Sequence, residues 1–310
     1  MNPLRYAVTE YVAMRRALGY QMNAAEAALG KFVSFLEKRG APFITSKLAV
    51  EWAQLPSKAQ PASWARRLCF VRGFARYRSA VDPRTEIPPW GLLPHQSGRA
   101  KPYLYTDEEI RSLLRAALRL PPIGGLRPWT YCCLFGILAV TGMRISEVVS
   151  LRIQDVDMKE GVLSIHRTKF GKSRLVPIHS STQQMLTTFA LRRDQLLRGL
   201  TTRKFLVSDH GRTLKESTVR YTFNKLSRQI GLRAPSAHQG PRLHDFRHRF
   251  ALTTLISWYR SGQDVEQRLP ILSTYLGHAN VASTYWYLAL CPELMGLSTA
   301  RLERRWEGRL

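Results

Sequence analysis

The feature that most limits how this chain can fold is an aperiodic stretch, rich in proline and glycine, between Asp82 and Tyr105. After the aspartate it reads PRTEIPPWGLLPHQSGRAKPYLY. Proline lacks an amide donor and both residues interrupt regular structure, so the stretch predicts a linker. The 310 residues are enough for two separate cores. We therefore predict an N-terminal domain over residues 1–82, a linker over 83–104 and a C-terminal domain over 105–310.

In the first domain, apolar residues recur at helical spacing. The predicted helices are Leu4–Leu18, Ala24–Lys38, Ser46–Leu55 and Ser63–Ala80, with Ser46 as the N-cap of the third. We therefore expect this domain to be helical throughout.

The second domain mixes helices with short strands. Thr106, with Glu109 three residues later, forms a capping box that opens a helix. Two strands, Val162–Arg167 and Arg174–Ile178, are predicted to form a hairpin around a turn at Phe170–Ser173. Further helices are predicted at Ile145–Leu151, Leu214–Ile230, His244–Trp258 and Val265–Leu276, and over the C-terminal tail. The predicted fold class is mainly α with a small β-sheet.

The charge of the chain indicates a polyanionic partner. Lys and Arg total 47 against 22 Asp and Glu, a net charge of +25. Such a surplus favours contacts with the phosphates of a nucleic acid. Charge alone does not separate an enzyme from a generally basic binding protein. The predicted helix Ser63–Ala80 carries five arginines that form either a solvated face or a face against phosphates, namely Arg66, Arg67, Arg72, Arg76 and Arg78.

The remaining bulk features predict a reduced, cytoplasmic protein with no membrane partner. The four cysteines show no CxxC pairing, and adjacent Cys132 and Cys133 lie in an apolar run typical of a core. The N-terminus lacks the apolar segment of a signal peptide, and the longest apolar stretch, Tyr131–Val140, is too short to span a bilayer. No metal site or cofactor is expected.

Four segments of the second domain carry polar residues where a simple core would not. In TGMRISEVVSL, Arg144 starts an amphipathic helix, and Glu147 lies where it can hold the guanidinium. A surface ion pair is the alternative. In TKFGKSRLVP, Lys169 or Lys172 at the hairpin tip can present an ammonium to a leaving oxygen or a groove. A solvated turn is the alternative for either lysine.

The third segment is RLHDFRHRFA, in which His244 and Arg247 share one face of a helix. His244 and His248 also have the spacing of the zinc-hydrolase helix. Asp245 replaces the glutamate which that helix requires, and Arg247 would bring a cation against the metal. Zinc is therefore not predicted.

The fourth segment, YLGHANVASTYWYLAL, has His278 at a helix end and Tyr287 nine residues later. Together the four segments suit phosphoryl transfer, because Arg144 and Arg247 can clamp the non-bridging oxygens of a phosphate. A tyrosine hydroxyl needs help to lose its proton, which histidine supplies near neutral pH. A lysine can protonate the departing oxygen, so the scheme requires neither metal nor ATP.

With these motifs the sequence resembles the tyrosine recombinase, or phage integrase, family. The resemblance covers essentially the whole chain. It is sharpest in TGMRISEVVSL, HDFRH and LGHANVASTYWY, which match the family's arginine box, its His-x-x-Arg box and its Leu-Gly-His to Tyr spacing. It implies an N-terminal helical, SAM-like core-binding domain and a mixed α+β catalytic domain with a C-terminal exchange helix. The chain is similar to the compact Xer-type resolvases and the integrases of mobile elements, and its divergent N-terminal half favours a mobile element.

The resemblance implies which residues hold the scissile phosphate. Arg144 and Arg247 would bind it, His278 would hydrogen-bond it, and Glu147 would brace the site.

It also implies which residues move protons and form the covalent link. Lys169 would be the general acid, and His244 would assist proton transfer from the nucleophile. Tyr287 would form a 3′-phosphotyrosyl link and release a 5′-hydroxyl. The chain departs from the family where Tyr287 is followed by Leu-Ala instead of Thr-His, and Tyr285 is a competing nucleophile.

The partners that the resemblance implies are double-stranded DNA with specific recombination sites and further copies of the chain. Four copies would assemble on two sites through the C-terminal helix and exchange strands through a Holliday junction, with accessory or sister recombinases as further partners. Two rival functions are DNA relaxation by a type IB topoisomerase-like enzyme and DNA binding by a relative that has lost catalysis. The target sequence, and whether the outcome is integration, excision or resolution, do not follow from the residues.

Overall fold

The chain divides into two compact units, Met1–Ala100 and Lys101–Leu310. The structure is a computed structural model, and it describes residues 3–57, 59–94, 101–166, 173–237, 239–278, 280–289 and 292–307. The predicted hairpin turn, with Lys169 and Lys172, lies outside the described residues. None of the helices within the described ranges is long and apolar enough to cross a membrane.

The first unit contains the four predicted helices. They run over Pro3–Ala17 (α1), Asn23–Lys38 (α2), Ser46–Gln54 (α3) and Pro61–Arg78 (α4). Their apolar faces meet in one core, where Phe32, Trp52 and Phe74 are almost completely buried. The predicted cap of α3 is wrong by one residue. Thr45 is the N-cap because its backbone is extended and its hydroxyl accepts from the Leu48 amide.

The segment after α4 packs on these helices instead of running free. The Glu86 amide donates to the Ile44 carbonyl at 2.8 Å, and the Glu86 carboxylate accepts from the Ser46 amide at 2.7 Å. Leu93 is 7% exposed and belongs to the same core. The first part of the predicted linker is therefore a structured edge of the first unit.

The second unit combines nine described helices with a small sheet. The helices are α5 (Asp107–Leu118), α6 (Leu126–Thr141), α7 (Ile145–Ser150), α8 (Ser180–Leu196), α9 (Glu216–Gln229), α10 (Asp245–Arg260), α11 (Val265–Leu276), α12 (Ala282–Tyr285) and α13 (Pro292–Glu307). The strands β1 (Val156–Asp157), β2 (Val162–Ile165) and β3 (Arg174–Pro177) pair antiparallel in the order β1-β2-β3. The predicted capping box at Thr106 is present. The mainly helical fold class with a small sheet is confirmed.

Two glycines at helix ends shape the second unit around its polar residues. Gly142 ends α6 with a φ of 61°, and a Cβ there would lie 2.9 Å from the Phe250 ring. Gly277 ends α11 with a φ of 67°, and a Cβ there would lie 2.8 Å from the Arg174 guanidinium. Both positions need a left-handed backbone and a close approach that only glycine permits at low cost.

Candidate active site

The C-terminal end of α11 binds three arginines through three consecutive carbonyl groups. The Tyr275 carbonyl accepts from Arg174 Nε at 2.7 Å, and the Leu276 carbonyl accepts from Arg247 Nη2 at 2.5 Å. The Gly277 carbonyl accepts from Arg144 Nη2 at 2.9 Å. The last carbonyls of a helix have no partner within it and carry partial negative charge. The end of α11 therefore gathers three cations beside the next residue, His278.

Glu147 supplies the negative charge that holds two of these arginines together. Its Oε1 accepts from Arg144 Nη1 at 2.9 Å, and its two oxygens accept from the Arg174 guanidinium at 3.1 and 2.8 Å. The Glu147 side chain is 5% exposed. Burial acts to raise the pKa of Glu147, but Arg174 and Arg144 outweigh it and the pKa lies below its usual value. Glu147 is therefore an ionised bridge, as its spacing from Arg144 predicted.

Arg174 is a member of this cluster that the motifs did not single out. It opens β3, and its side chain is only 7% exposed. A strand presents alternate residues to opposite faces, so its orientation depends on the register of the hairpin. The only indication in the sequence was its place at the end of the turn that carries Lys169 and Lys172.

Arg247 is the most deeply buried of the three arginines. It lies in the first turns of α10 with 2% of its surface exposed, and its Nη1 also donates to the Gly142 carbonyl at 3.0 Å. Burial and the neighbouring Arg144 charge lower the pKa of Arg247 to about 10. Arg144 remains more accessible, with 24% of its side chain exposed. An anion from solvent can therefore reach Arg144 more easily than Arg247.

His278 is oriented by the hydroxyl of Thr284, which the sequence motifs did not single out. Its Nδ1 lies 2.7 Å from Thr284 Oγ1, and Thr284 is fully buried in the short helix α12. Partial burial and the charges of Arg247 and Arg144 lower the pKa of His278 to about 3. The ring is thus neutral at physiological pH, with one nitrogen occupied by Thr284.

The two candidate nucleophiles occupy opposite environments. Tyr287, on the helical turn that follows α12, is 2% exposed, and its ring lies over His278 with centroids 6.1 Å apart. Its hydroxyl lies 3.2 Å from His248 Nδ1. Tyr285 is 55% exposed and lines a surface groove with Leu288, Met295 and other residues. The structure therefore joins Tyr287, and not Tyr285, to the histidines next to the arginine cluster.

His244 and His248 form a pair on one side of α10. Their rings meet edge to face, with centroids 4.7 Å apart, and His248 contacts the ring of Tyr287. His244 precedes the first turn and is solvent-accessible. Desolvation by the surrounding protein and the charge of Arg247 lower the pKa of His244 to about 4. Sequence reasoning weighed His248 only as a zinc ligand and did not foresee its contact with Tyr287.

The predicted DNA-contacting arginines of α4 have different surroundings. Arg72 is 7% exposed and donates to the carbonyls of Pro88 and Pro89 at 2.7 and 2.8 Å. Arg67 donates to the Trp52 carbonyl at 2.7 Å and lies over the Trp52 ring. Their guanidinium groups therefore serve the packing of the first unit, and we remove both from the set proposed to contact phosphate. Arg66 and Arg76 are exposed and stay in it.

Within the described part of the chain, no group of three or more His, Cys, Asp or Glu side chains is arranged to hold a metal ion.

Comparisons with known proteins identify the family to which the sequence is similar. Residues 104–293 match the family model described as the phage integrase family. Over 100% of both chains, the sequence is 53% identical to y4rB of Sinorhizobium fredii, a protein whose name includes the words integrase/recombinase. It is 28% identical to the tyrosine recombinase XerD of Caulobacter vibrioides, over 75% of this chain and 72% of that protein.

Solved structures show the same fold at low sequence identity. The Tn1549 transposon integrase, in complex with transposon right end DNA, superposes with a TM-score of 0.67 at 15% identity, over 96% of this chain and 98% of that one. The XerH site-specific recombinase in a post-cleavage complex gives a TM-score of 0.66 at 18% identity, over 91% of this chain and 80% of that one.

Proposed function

The chain belongs to the phage integrase family of tyrosine recombinases, and on that premise we propose that it is a site-specific DNA recombinase whose nucleophile is Tyr287. The observation that carries the proposal is the cluster at the end of α11. Three arginine side chains end there on consecutive carbonyls, and His278 and Tyr287 lie beside them. A cluster of cations next to a tyrosine suits a reaction in which negative charge develops on phosphate oxygens.

The proposed roles follow from the hydrogen-bonding groups that are not already engaged within the protein. Arg144 and Arg247 retain guanidinium donors beyond those already engaged and bind the non-bridging oxygens of the scissile phosphate. Glu147 and Arg174 hold Arg144 in place. His278 donates to the phosphate from the ring nitrogen opposite Thr284. Lys169 protonates the departing 5′ oxygen, a role that rests on the sequence motif.

Tyr287 and Arg247 are each 2% exposed, so the described conformation keeps both from the solvent. The segment with Tyr287 packs against α13, where Leu294 is fully buried in the same apolar cluster. Glu293 and Arg301 of α13 pair with Arg260 and Asp264 of the same chain. We propose that α13 leaves these contacts to bind a neighbouring protomer in a DNA-bound tetramer, which opens a path for the scissile phosphate to reach Tyr287 and Arg247.

The partners are proposed on the same premise. Double-stranded DNA with specific sites is the substrate, and a Holliday junction is the intermediate of exchange. A solved lambda integrase structure is a tetramer bound to a Holliday junction, and its TM-score to this chain is 0.63 at 17% identity. We propose that the protein acts for a mobile genetic element. The name of the integrase/recombinase relative supports this role, as does the fold shared with a transposon integrase.

The test is covalent trapping on a pool of nicked duplexes with a randomised central region. Cleavage beside the nick releases a short fragment, so the phosphotyrosyl protein cannot religate and survives denaturant. We expect the wild type to form an adduct in the presence of a chelator and without nucleotide, with a consensus recovered from the trapped DNA. Tyr285→Phe should form the same adduct, and Tyr287→Phe should form none.

Three other outcomes of these experiments would each contradict part of the proposal. Absence of any wild-type adduct would contradict the proposed function and favour a non-catalytic DNA-binding protein. Loss of the adduct in Tyr285→Phe alone would move the nucleophile to Tyr285. Relaxation of supercoiled plasmid that lacks the consensus would favour a topoisomerase.

A further inference from the structure

His248 is a partly buried ionisable group to which the proposed mechanism assigns no role. It lies one helical turn after His244 on α10. Its ring contacts three aromatic rings, those of His244, Trp286 and Tyr287, at centroid distances of 4.7, 5.3 and 5.6 Å. These contacts fix the plane of the imidazole.

In this orientation a ring nitrogen of His248 lies next to the hydroxyl of Tyr287. Nδ1 lies 3.2 Å from the Tyr287 hydroxyl, within the range in which a general base takes a proton directly. A phenol donates well to a neutral imidazole nitrogen, and His248 is neutral near pH 7 because burial and the adjacent His244 lower its pKa to about 4. The unprotonated ring nitrogen that faces Tyr287 is therefore available as a hydrogen-bond acceptor.

On the basis of the proposed function, we infer that His248 is the residue that directly takes the proton from Tyr287, with His244 behind it. The family pattern had led to the expectation that His244 assists this transfer. His244 contacts the same imidazole edge to face and lies nearer the solvent. The neighbouring His244 thus gives His248 a contact on the solvent-exposed side of the site.

The proton balance of the step is complete with these groups. The bond from Tyr287 Oη to phosphorus forms while the bond from phosphorus to O5′ breaks. The phenolic proton passes to His248 Nδ1, and the departing O5′ takes a proton from the general acid. In the reverse step the 5′-hydroxyl attacks phosphorus and returns its proton to that acid, while Oη recovers the proton held by His248.

The surroundings of His248 tie its basicity to the substrate. It faces the cations Arg242 and Arg247, the neighbouring His244, and the single carboxylate of Asp245. From the segment after α12 it faces Tyr287 and Trp286. Without DNA, burial and these neighbouring charges keep it a weak base. A phosphate bound to Arg247 adds negative charge nearby, which raises the pKa of His248 and favours proton transfer only when substrate is present.

The test compares two variants on two substrates made from the trapped consensus. His248→Asn keeps a hydrogen-bond acceptor but cannot act as a base, and Lys169→Ala lacks the proposed acid. One nicked duplex has the natural O5′ at the cleavage site, and the other has sulfur there, which leaves without a proton. We expect His248→Asn to slow adduct formation by about 10²–10⁴-fold on both duplexes. The sulfur duplex should rescue Lys169→Ala only.

A pH series separates chemistry from positioning. The rate of His248→Asn should rise about tenfold per pH unit as hydroxide replaces the missing base, whereas the wild type should respond less steeply. His210→Asn, at an exposed turn, is the matched control and should retain the wild-type rate. A rate for His248→Asn within about threefold of the wild type, or its rescue by sulfur, would overturn the inference.

A second measurement keeps the native histidine, so it does not depend on a variant of that residue folding. NMR titration of His248 in Tyr287→Phe should give a higher pKa with the consensus duplex bound than without it. An unchanged or lower value would also contradict the inference. A wild type that forms no adduct on either duplex would instead contradict the proposed function itself.

Discussion

The orientation of His278 depends on one buried hydroxyl. For its outer nitrogen to donate to a phosphate, Nδ1 must accept from Thr284, which lies 2.7 Å away. Thr284→Val removes this donor, at a cost of about 1–3 kcal/mol or roughly 5–150-fold in rate. Thr284→Ser keeps it and should retain most of the activity.

The measurement is the single-turnover cleavage rate together with ¹⁵N NMR of His278. The wild type and Thr284→Ser should show the tautomer protonated at Nε2, and Thr284→Val should show a mixture. Ser283→Ala, next to it on α12, is the control. Equal rates and spectra for all three variants would show that Thr284 only fills space.

Glu147 is expected to matter to folding as well as to cleavage. Glu147→Gln leaves Arg144 and Arg174 close together without their bridging charge, and breaking such a buried pair costs about 3–5 kcal/mol. The pKa of Glu147 lies below its ordinary value in the folded chain. Its stabilising effect is therefore complete above that ordinary value and is lost as the pH falls through the folded pKa.

Denaturant unfolding over an acid pH series checks this prediction. The variant should start less stable than the wild type, and the difference between them should shrink as the solution becomes more acidic. Glu160→Gln, on an exposed turn, should behave as the wild type. A constant difference at every pH would mean that the charge of Glu147 is not what stabilises the pair.

The contacts that sequence could predict are those set by spacing along one helix. The pairing of Glu147 with Arg144 needs only three residues of separation. The contacts of Arg174 and His248 were not predicted because their partners lie far along the chain. Arg174 meets the end of α11 about a hundred residues later, and His248 meets Tyr287 across another element. Such contacts are set by tertiary packing and not by local pattern.

At the scale of whole elements, amphipathic helices were predictable and fully buried ones were not. Val265–Leu276 was predicted with its observed bounds, because its apolar face alternates with polar residues. Of the helix Leu126–Thr141, only Tyr131–Val140 was recognised, as an apolar run. It is buried on almost every side, so no period distinguishes a helix from a strand there. β1 is only two residues long, too short to leave a pattern.

Helix α4 offers a matched pair of arginines, four residues apart, with opposite expected roles. Arg72→Ala removes two hydrogen bonds to proline carbonyls and a stacking contact with Trp90, so it should destabilise the first unit. Arg76→Ala removes an exposed charge and should leave stability unchanged. It should weaken DNA binding and lower the slope of log Kobs against log salt by about 0.9.

Thermal unfolding and DNA binding at several salt concentrations separate the two effects. An Arg76→Ala protein with unchanged affinity and salt slope would show that this face of α4 does not contact DNA. Unchanged stability in Arg72→Ala would show that its buried hydrogen bonds are not needed.

For the molecule as a whole, binding and chemistry should be separable. A net charge of +25 predicts affinity for any duplex, which falls steeply as the salt concentration rises because binding releases counterions from the DNA. Tyr287→Phe loses only a hydroxyl, so it should bind the consensus duplex with wild-type affinity and salt slope but form no covalent complex. Fluorescence anisotropy with labelled consensus and unrelated duplexes provides the measurement. Weaker binding by this variant would mean that Tyr287 contributes to recognition as well as to cleavage.

The central claim is that DNA becomes attached to Tyr287. The most direct measurement is mass spectrometry of the trapped adduct after nuclease and trypsin digestion, since residues 269–301 form one tryptic peptide that contains both Tyr285 and Tyr287. Fragmentation should place the mass of a 3′-linked nucleotide on Tyr287 and leave Tyr285 unmodified. A nucleotide on Tyr285, or on a residue outside this peptide, would contradict the claim.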